Sequence, residues 1–185
     1  MPERSQRLPM PPEAHRAAWA ERDRRWAERL HRAAQHRALI MLLQGVSWLG
    51  DGALWYVTIA ALALVGGTDG RDVAAQMTLV GVFNLTLYLW LKARIGRPRP
   101  YVKCPDIRAC GRALDQFSFP SGHALHAAAF SVLLIGHYPD AAWLLTPSAL
   151  LIGLSRVALG LHYPSDVAAG AAIGAATAAV MLALY

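Results

Sequence analysis

Charge is what this sequence has least of. Only 16% of the 185 residues are Asp, Glu, Lys or Arg, and none of these falls in 73–91, 122–139, 141–155 or 167–185. Together with 55% hydrophobic residues, that excludes an ordinary soluble domain. A bilayer-crossing helix needs about 20 mostly apolar residues, with about 17 tolerated, and several of the charge-free runs meet that need. Nucleic-acid binding would need a basic face on a soluble fold or interleaved aromatics, whereas the positive charge here lies in one amphipathic tail and one loop. The net charge of +6 and pI of about 9.8 are therefore read as complementing lipid headgroups. Residues 1–13 carry four prolines but neither the apolar core nor the cleavage site of a signal peptide, and are expected to be a disordered lead. No internal repeat is found. Cysteine is nearly absent: Cys104 and Cys110 lie in one loop, where a disulfide and two free thiols are both open readings.

What is present begins with an Ala-, Arg- and Glu-rich stretch over 14–37. Trp19, Trp26, Leu30 and Ala33 share one side of a helix, and Arg22, Arg25, Arg29 and Arg32 take other positions around it. An amphipathic helix in the headgroup region is expected, with a solvated or self-associating helix as the alternative. The apolar stretch 38–65 is broken by Gly50-Asp51-Gly52, which predicts a short helix, a kink and then a span over 52–65. Asp51 either faces the site or an aqueous cavity, or caps the helix that follows. A turn over 66–70 leads to further spans at 72–90, 122–137, 141–159 (with Pro147 inside it) and 164–185. In the last, Gly170 and Gly174 form a small-xxx-small pattern that permits close helix contact. The expected fold is all-α: a polytopic membrane helix bundle of about five transmembrane helices plus the N-terminal amphipathic helix, with 38–185 as the membrane-embedded domain.

The polar residues that remain fall at span boundaries and suit one chemistry. A phosphate monoester carries two negative charges and needs several fixed donors. Lys92, Arg99 and Arg156 supply cations from three separate segments, the arginines with a planar fork that binds two oxygens at once. In Pro120-Ser121-Gly122-His123, Ser121 is a good N-cap and Gly122 lets backbone N–H groups approach an anion at the first turn of a helix. His162, four residues before Asp166, supplies a nucleophile if the carboxylate accepts one ring N–H and leaves the other nitrogen free. His123 would protonate the departing oxygen and then activate water, so the two rings must differ in protonation near neutral pH.

Lys92-x6-Arg99-Pro100, Pro120-Ser121-Gly122-His123 and Ser155-Arg156-x5-His162-x3-Asp166 together resemble the three-part signature of the type 2 phosphatidic acid phosphatase family, from Lys92 to Asp166. These are lipid and prenyl-diphosphate phosphatases that share their pocket with vanadium haloperoxidases and some soluble acid phosphatases. The resemblance implies a phosphohistidine on His162, with Asp166 orienting it and His123 as the acid. It implies Lys92, Arg99, Ser121, Gly122 and Arg156 on the phosphate oxygens, a lipid phosphate as substrate, and no metal or other cofactor. His126, one turn after His123, is read as packing or lining the pocket, and Arg97 as either a second headgroup contact or a lipid-facing anchor. A non-catalytic lipid-phosphate binder or transporter, and haloperoxidase-like use of the pocket, are the alternatives. A multi-pass protein of the cell membrane is expected. Its face is contested: all of the 18 Lys and Arg residues but Arg71 fall on the site side, which the positive-inside rule places in the cytoplasm, whereas the family resemblance favours the extracytoplasmic side.

Overall fold

The computed structural model describes residues 12–185; the expected disordered lead lies almost wholly outside them. Helix α1 (Pro12–Ala33) opens on a proline, which lacks the N–H that a first helical position cannot use. It ends four residues before the expected boundary at 37, and a short link leads to α2 (Arg37–Leu49). α3 (Ala53–Val65) follows the break at Gly50-Asp51-Gly52, where Gly52 takes φ +113, a backbone region that other residues rarely adopt. The two helices are bent by 40°, as the carboxylate between two glycines predicts.

α4 (Gly67–Ile95) starts earlier than the span expected from 72. The chain reverses at Gly66 and Gly67, the latter at φ +67, and Asp69 joins the first helical turn, where the dipole favours a negative charge. A short α5 (Pro100–Lys103), α6 (Gly122–His137), a single 3-10 turn (Pro139–Ala141), α7 (Ala142–Ala158) and α8 (Pro164–Leu184) complete the chain. Gly67–Ile95, Pro139–Ala158 and Pro164–Leu184 are each long and apolar enough to cross a membrane, and the bent α2–α3 pair qualifies as one further broken span. α6, read as a span in its own right, has 16 residues and is about 24 Å long. It is the central helix: Leu125, Ala127, Ala129 and Leu133 are fully buried.

The architecture follows from which side chains are small. At Gly170 a Cβ would lie 2.5 Å from the Ser121 carbonyl oxygen, and at Gly174 it would collide with that of Leu125, so α8 rests backbone to backbone on α6. Trp55, Val73, Met77, Val80, Phe130 and Ile152 fill the core around α6. Leu79, Phe83, Leu89, Trp143 and Leu150 point outward, the arrangement an apolar solvent allows.

α1 has two working stripes. Trp19 and Trp26 are exposed, each beneath an arginine, Arg22 and Arg29. On the other side Ala27, Glu28, His31 and Ala34 are buried against the bundle. His31 donates from Nδ1 to the Ala158 carbonyl at 2.9 Å and accepts from the Arg108 N–H at 3.3 Å. The helix is thus docked on the protein as well as carrying the indole face expected of it.

Candidate active site

The site forms where the C-terminal ends of α4 and α7 meet the N-terminal ends of α6 and α8. The loop between α4 and α6 folds over this end: Ser118 donates its N–H to the Arg97 carbonyl at 2.7 Å, and Pro98 pairs with Phe117. Lys92 and Arg99, 3% and 1% exposed, are brought together there by a residue the sequence did not single out. Asp115 accepts from Lys92 Nζ at 2.6 Å, from Arg99 Nη2 at 3.0 Å, from the Phe117 N–H at 3.0 Å and from the Tyr88 hydroxyl. Burial works against its charge, but the hydrogen bonds from Lys92 and Tyr88 outweigh it and hold the carboxyl down at about 2. A lone acid inside a loop carries no pattern, which is why spacing could not find it.

Arg99 continues from this cluster to the first histidine, donating from Nη1 to the Leu161 carbonyl at 2.8 Å and to His162 Nε2 at 3.1 Å. The other ring nitrogen, Nδ1, donates to the Ser118 carbonyl at 2.6 Å. This corrects the expected orientation by Asp166, whose Oδ2 stands 3.8 Å from Nδ1, too far for a hydrogen bond. Asp166 instead accepts from the Ser118 hydroxyl, from the Tyr163 N–H at 2.8 Å and from Arg97 Nη1 at 2.6 Å. Its carboxylate locks the segment that carries the Ser118 carbonyl, and so acts on the ring at one remove. Burial pushes the His162 imidazole down to about 4. The ring is therefore neutral near pH 7, with the proton on Nδ1 and a lone pair on Nε2.

Arg97 makes its contacts within the protein. It bridges Asp166 and, from Nη2 at 2.7 Å, Asp23 of α1, while lying 4.1 Å over the Tyr163 ring. Asp23 also accepts from the Ser165 N–H at 3.0 Å, satisfying a first-turn donor of α8 from a different helix. Arg156, 2% exposed, donates to the Ser47 hydroxyl and to the Arg112 carbonyl at 3.3 Å, and its buried Nε has no partner among the described residues.

At the N-terminus of α6, Ser121 is the N-cap and accepts the Ala124 N–H at 3.5 Å. Its own N–H donates to the Asp166 carbonyl at 3.0 Å, tying α6 to α8. Gly122 faces Tyr88, whose ring leaves no room for a Cβ. Arg156, His162 and Arg99 lie close enough to act electrostatically on His123. The residues expected at the site thus gather at one end of the bundle. His126 donates from Nδ1 to the Gly122 carbonyl at 3.0 Å and packs on Phe130, as expected. Cys104, buried beside the Tyr163 hydroxyl, and Cys110 are both free thiols.

Beside His123 a cavity of about 440 Å³ runs down between α3, α4 and α6. Asp51, Tyr88 and His123 stand at its polar end, and Trp55, Ile59, Met77, Gly81 and Phe130 line its depth. A cationic cluster thus adjoins an apolar slot.

Residues 71–185 match the model of the PAP2 superfamily. Over 77% of this chain and 78% of the relative, the sequence is 30% identical to a decaprenylphosphoryl-5-phosphoribose phosphatase of Mycobacterium tuberculosis. Over 77% of this chain and 68% of the relative, it is 31% identical to a lipid A 1-phosphatase of Rhizobium etli. The crystal structure of Aquifex aeolicus LpxE superposes with a TM-score of 0.73 at 27% identity, covering 84% of this chain and 92% of that one. These matches and the site define a multi-pass membrane phosphatase. The chain belongs to the PAP2 superfamily.

Proposed function

We propose that the protein hydrolyses the terminal phosphate of a lipid or prenyl phosphate through a phosphohistidine on His162. The observation that carries this reading is the junction of a dry, neutral imidazole, whose Nε2 faces Arg99 at 3.1 Å, with an apolar cavity lined by a second histidine. Arg99, Lys92 and Arg156 would hold the phosphate oxygens, helped by the first-turn N–H groups of Gly122 and His123, which have no acceptor within their own helix. His162 Nε2 attacks phosphorus as the bond to the leaving oxygen breaks, and His123 delivers a proton to that oxygen. In the second half His123 takes a proton from water, which attacks phosphorus and frees His162. Asp115 must share or release Lys92 and Arg99 when the phosphate arrives.

The M. tuberculosis and R. etli relatives are named for substrates that join a phosphate to a long apolar body. The cavity suits such a tail, and α1 would lie at the interface with Trp19 and Trp26 toward the lipid. We place the site end on the extracytoplasmic side on the family resemblance. Labelling of Cys110 by an impermeant thiol reagent in intact cells supports that placement, and labelling only after lysis overturns it.

The enzymatic test is phosphate release by detergent-solubilised protein across phosphatidic acid, phosphatidylglycerol phosphate, a prenyl diphosphate and lipid A, with vanadate as inhibitor. His162→Ala should lower turnover of every substrate by at least about 10³-fold while the variant still purifies as a folded protein, its melting temperature lowered by the lost buried contacts of the ring. Phosphate release at the wild-type rate by that variant would sink the reading.

A further inference from the structure

The carboxylate at the α2–α3 break has an assignment that neither spacing nor kinship supplies. Asp51 caps no helix: Gly52 occupies the N-cap position of α3, and no side chain caps that end. Its Oδ1 instead accepts from His123 Nε2 at 2.5 Å. The backbone on either side is shaped for this contact. At Gly50 a Cβ would lie 3.0 Å from His123 Cδ2 and 2.8 Å from Ile152 Cγ2, so the turn passes directly against the ring. Gly52, at φ +113, then carries the chain into α3. The Asp51 side chain is 22% exposed and His123 6%, so the pair sits at the cavity's polar end with little water to weaken it. The other charged or titratable groups acting on the ring are Arg156, His162, His126 and Arg99. Three of those four side chains come from the cationic side of the site, and Asp51 is the carboxylate that contacts the ring.

From this we infer that Asp51 is the positioning residue of the leaving-group acid, an inference that rests on the role of His123 proposed above. By accepting the Nε2 proton, the carboxylate fixes the ring's tautomer and rotation, and compensates the positive charge the ring carries before proton transfer. Nδ1, which has no hydrogen-bond partner among the described residues, is the nitrogen left to serve the leaving oxygen. In the first half-reaction the Nδ1 proton passes to that oxygen as the P–O bond breaks and the P–N bond to His162 forms. The ring is then neutral, its Nε2–H still held by Asp51, and Nδ1 is free to take a proton from water in the second half. His162 is oriented by a backbone carbonyl and His123 by a carboxylate, which suits a neutral nucleophile and an acid that must carry charge.

The test separates positioning from structural support by the leaving group. Wild type, Asp51→Asn, His123→Ala and the double variant are compared on phosphatidic acid in mixed micelles, whose alkoxide must be protonated, and on p-nitrophenyl phosphate, whose phenolate leaves with little help. Asp51→Asn should lower kcat/KM, which reports the first half-reaction alone, by about 100-fold on phosphatidic acid and by less than about fivefold on the aryl ester, while kcat, which includes the shared attack of water, falls on both. His123→Ala should show the same selectivity more strongly, and adding Asp51→Asn to it should cost little more. Equal losses of kcat/KM by Asp51→Asn on both esters, full activity on both, or an additive double variant would overturn the inference alone. Undiminished phosphatidic acid turnover by His123→Ala would overturn the reading of His123 and the inference with it.

Discussion

The two flanks of α6 use glycine to opposite ends. On the α8 side Gly170 and Gly174 remove every side chain between two backbones, so the helices touch through carbonyl oxygens and the N-terminus of α8 is fixed beside that of α6. On the α3–α4 side Gly81 lines a cavity and leaves space next to the Phe130 ring. The tight flank carries Asp166, Ser118, Ser121 and His162, whose positions the proposed chemistry would need within tenths of an ångström. The loose flank has room for a tail. One end of one helix thereby combines a rigid cationic cluster with a permissive apolar slot, which suits the lipid-phosphate hydrolysis proposed above.

The largest effect is expected from breaking the tight flank. Gly174→Leu drives a side chain into the Leu125 carbonyl and should cost several kcal/mol, in the upper range of about 1–3 kcal/mol or more for overpacking. The thermal midpoint should fall sharply, and activity should be lost on every substrate alike. A melt indistinguishable from wild type would show that the α6–α8 contact is not what holds the site.

Next in size is the pH response of the dry imidazole. Its folded value of about 4 lies below the ordinary value near 6.5. His162 should therefore stay neutral and reactive through pH 5 and protonate as pH falls through 4, giving a loss of about tenfold per unit below that in kcat/KM. Stability follows the same sign: the unfolded ring takes up its proton first, so the contribution from neutral His162 is intact above pH 6.5 and is lost as pH falls toward 4. An acid limb near 6.5 would mean that water reaches the ring.

A smaller and selective effect belongs to the loose flank. Gly81→Val should narrow the cavity beside Phe130, where even a Cβ would lie 3.1 Å from Cζ. It should lower kcat/KM about tenfold for long-tailed lipid phosphates and spare a short-chain phosphate. Equal losses on both would place the tail elsewhere.

The smallest is expected at Asp115, which occupies two cations that the proposed phosphate needs. Asp115→Asn should tighten inhibition by inorganic phosphate and vanadate about fivefold, as competition from the chain's own anion is removed. It should also lower the melting temperature, because Lys92 loses its buried partner. Weaker inhibition would make Asp115 a prop for the cations instead of a competitor.

Much of this was legible beforehand. The charge-free runs gave the apolar helices, and Lys92, Arg99, His123, Arg156 and His162, singled out from their spacing, lie at one end of the bundle. Gly170 and Gly174 announced the contact they make. What escaped the sequence were partners with no signature of their own. The Ser118 carbonyl that orients His162 is a backbone atom any residue could offer. Asp115 and Asp23 are single acids in a loop and in a charged helix, and Asp51 had two readings of equal weight. The extent of α4 also escaped, because glycines over 66–70 suggest a turn by propensity, and only the close α3–α4 reversal makes most of them helical.

The residues alone determined that this chain would be helical and apolar-solvated, and pointed to a cationic site with two histidines, because composition and local spacing are properties of the chain itself. Which carboxylate serves which imidazole was decided by tertiary structure. Hydrogen bonds are made over about 3 Å between groups far apart in the chain, 72 residues for Asp51 and His123 and 142 for Asp23 and Ser165, and no local pattern encodes a meeting that depends on where two helices end in space.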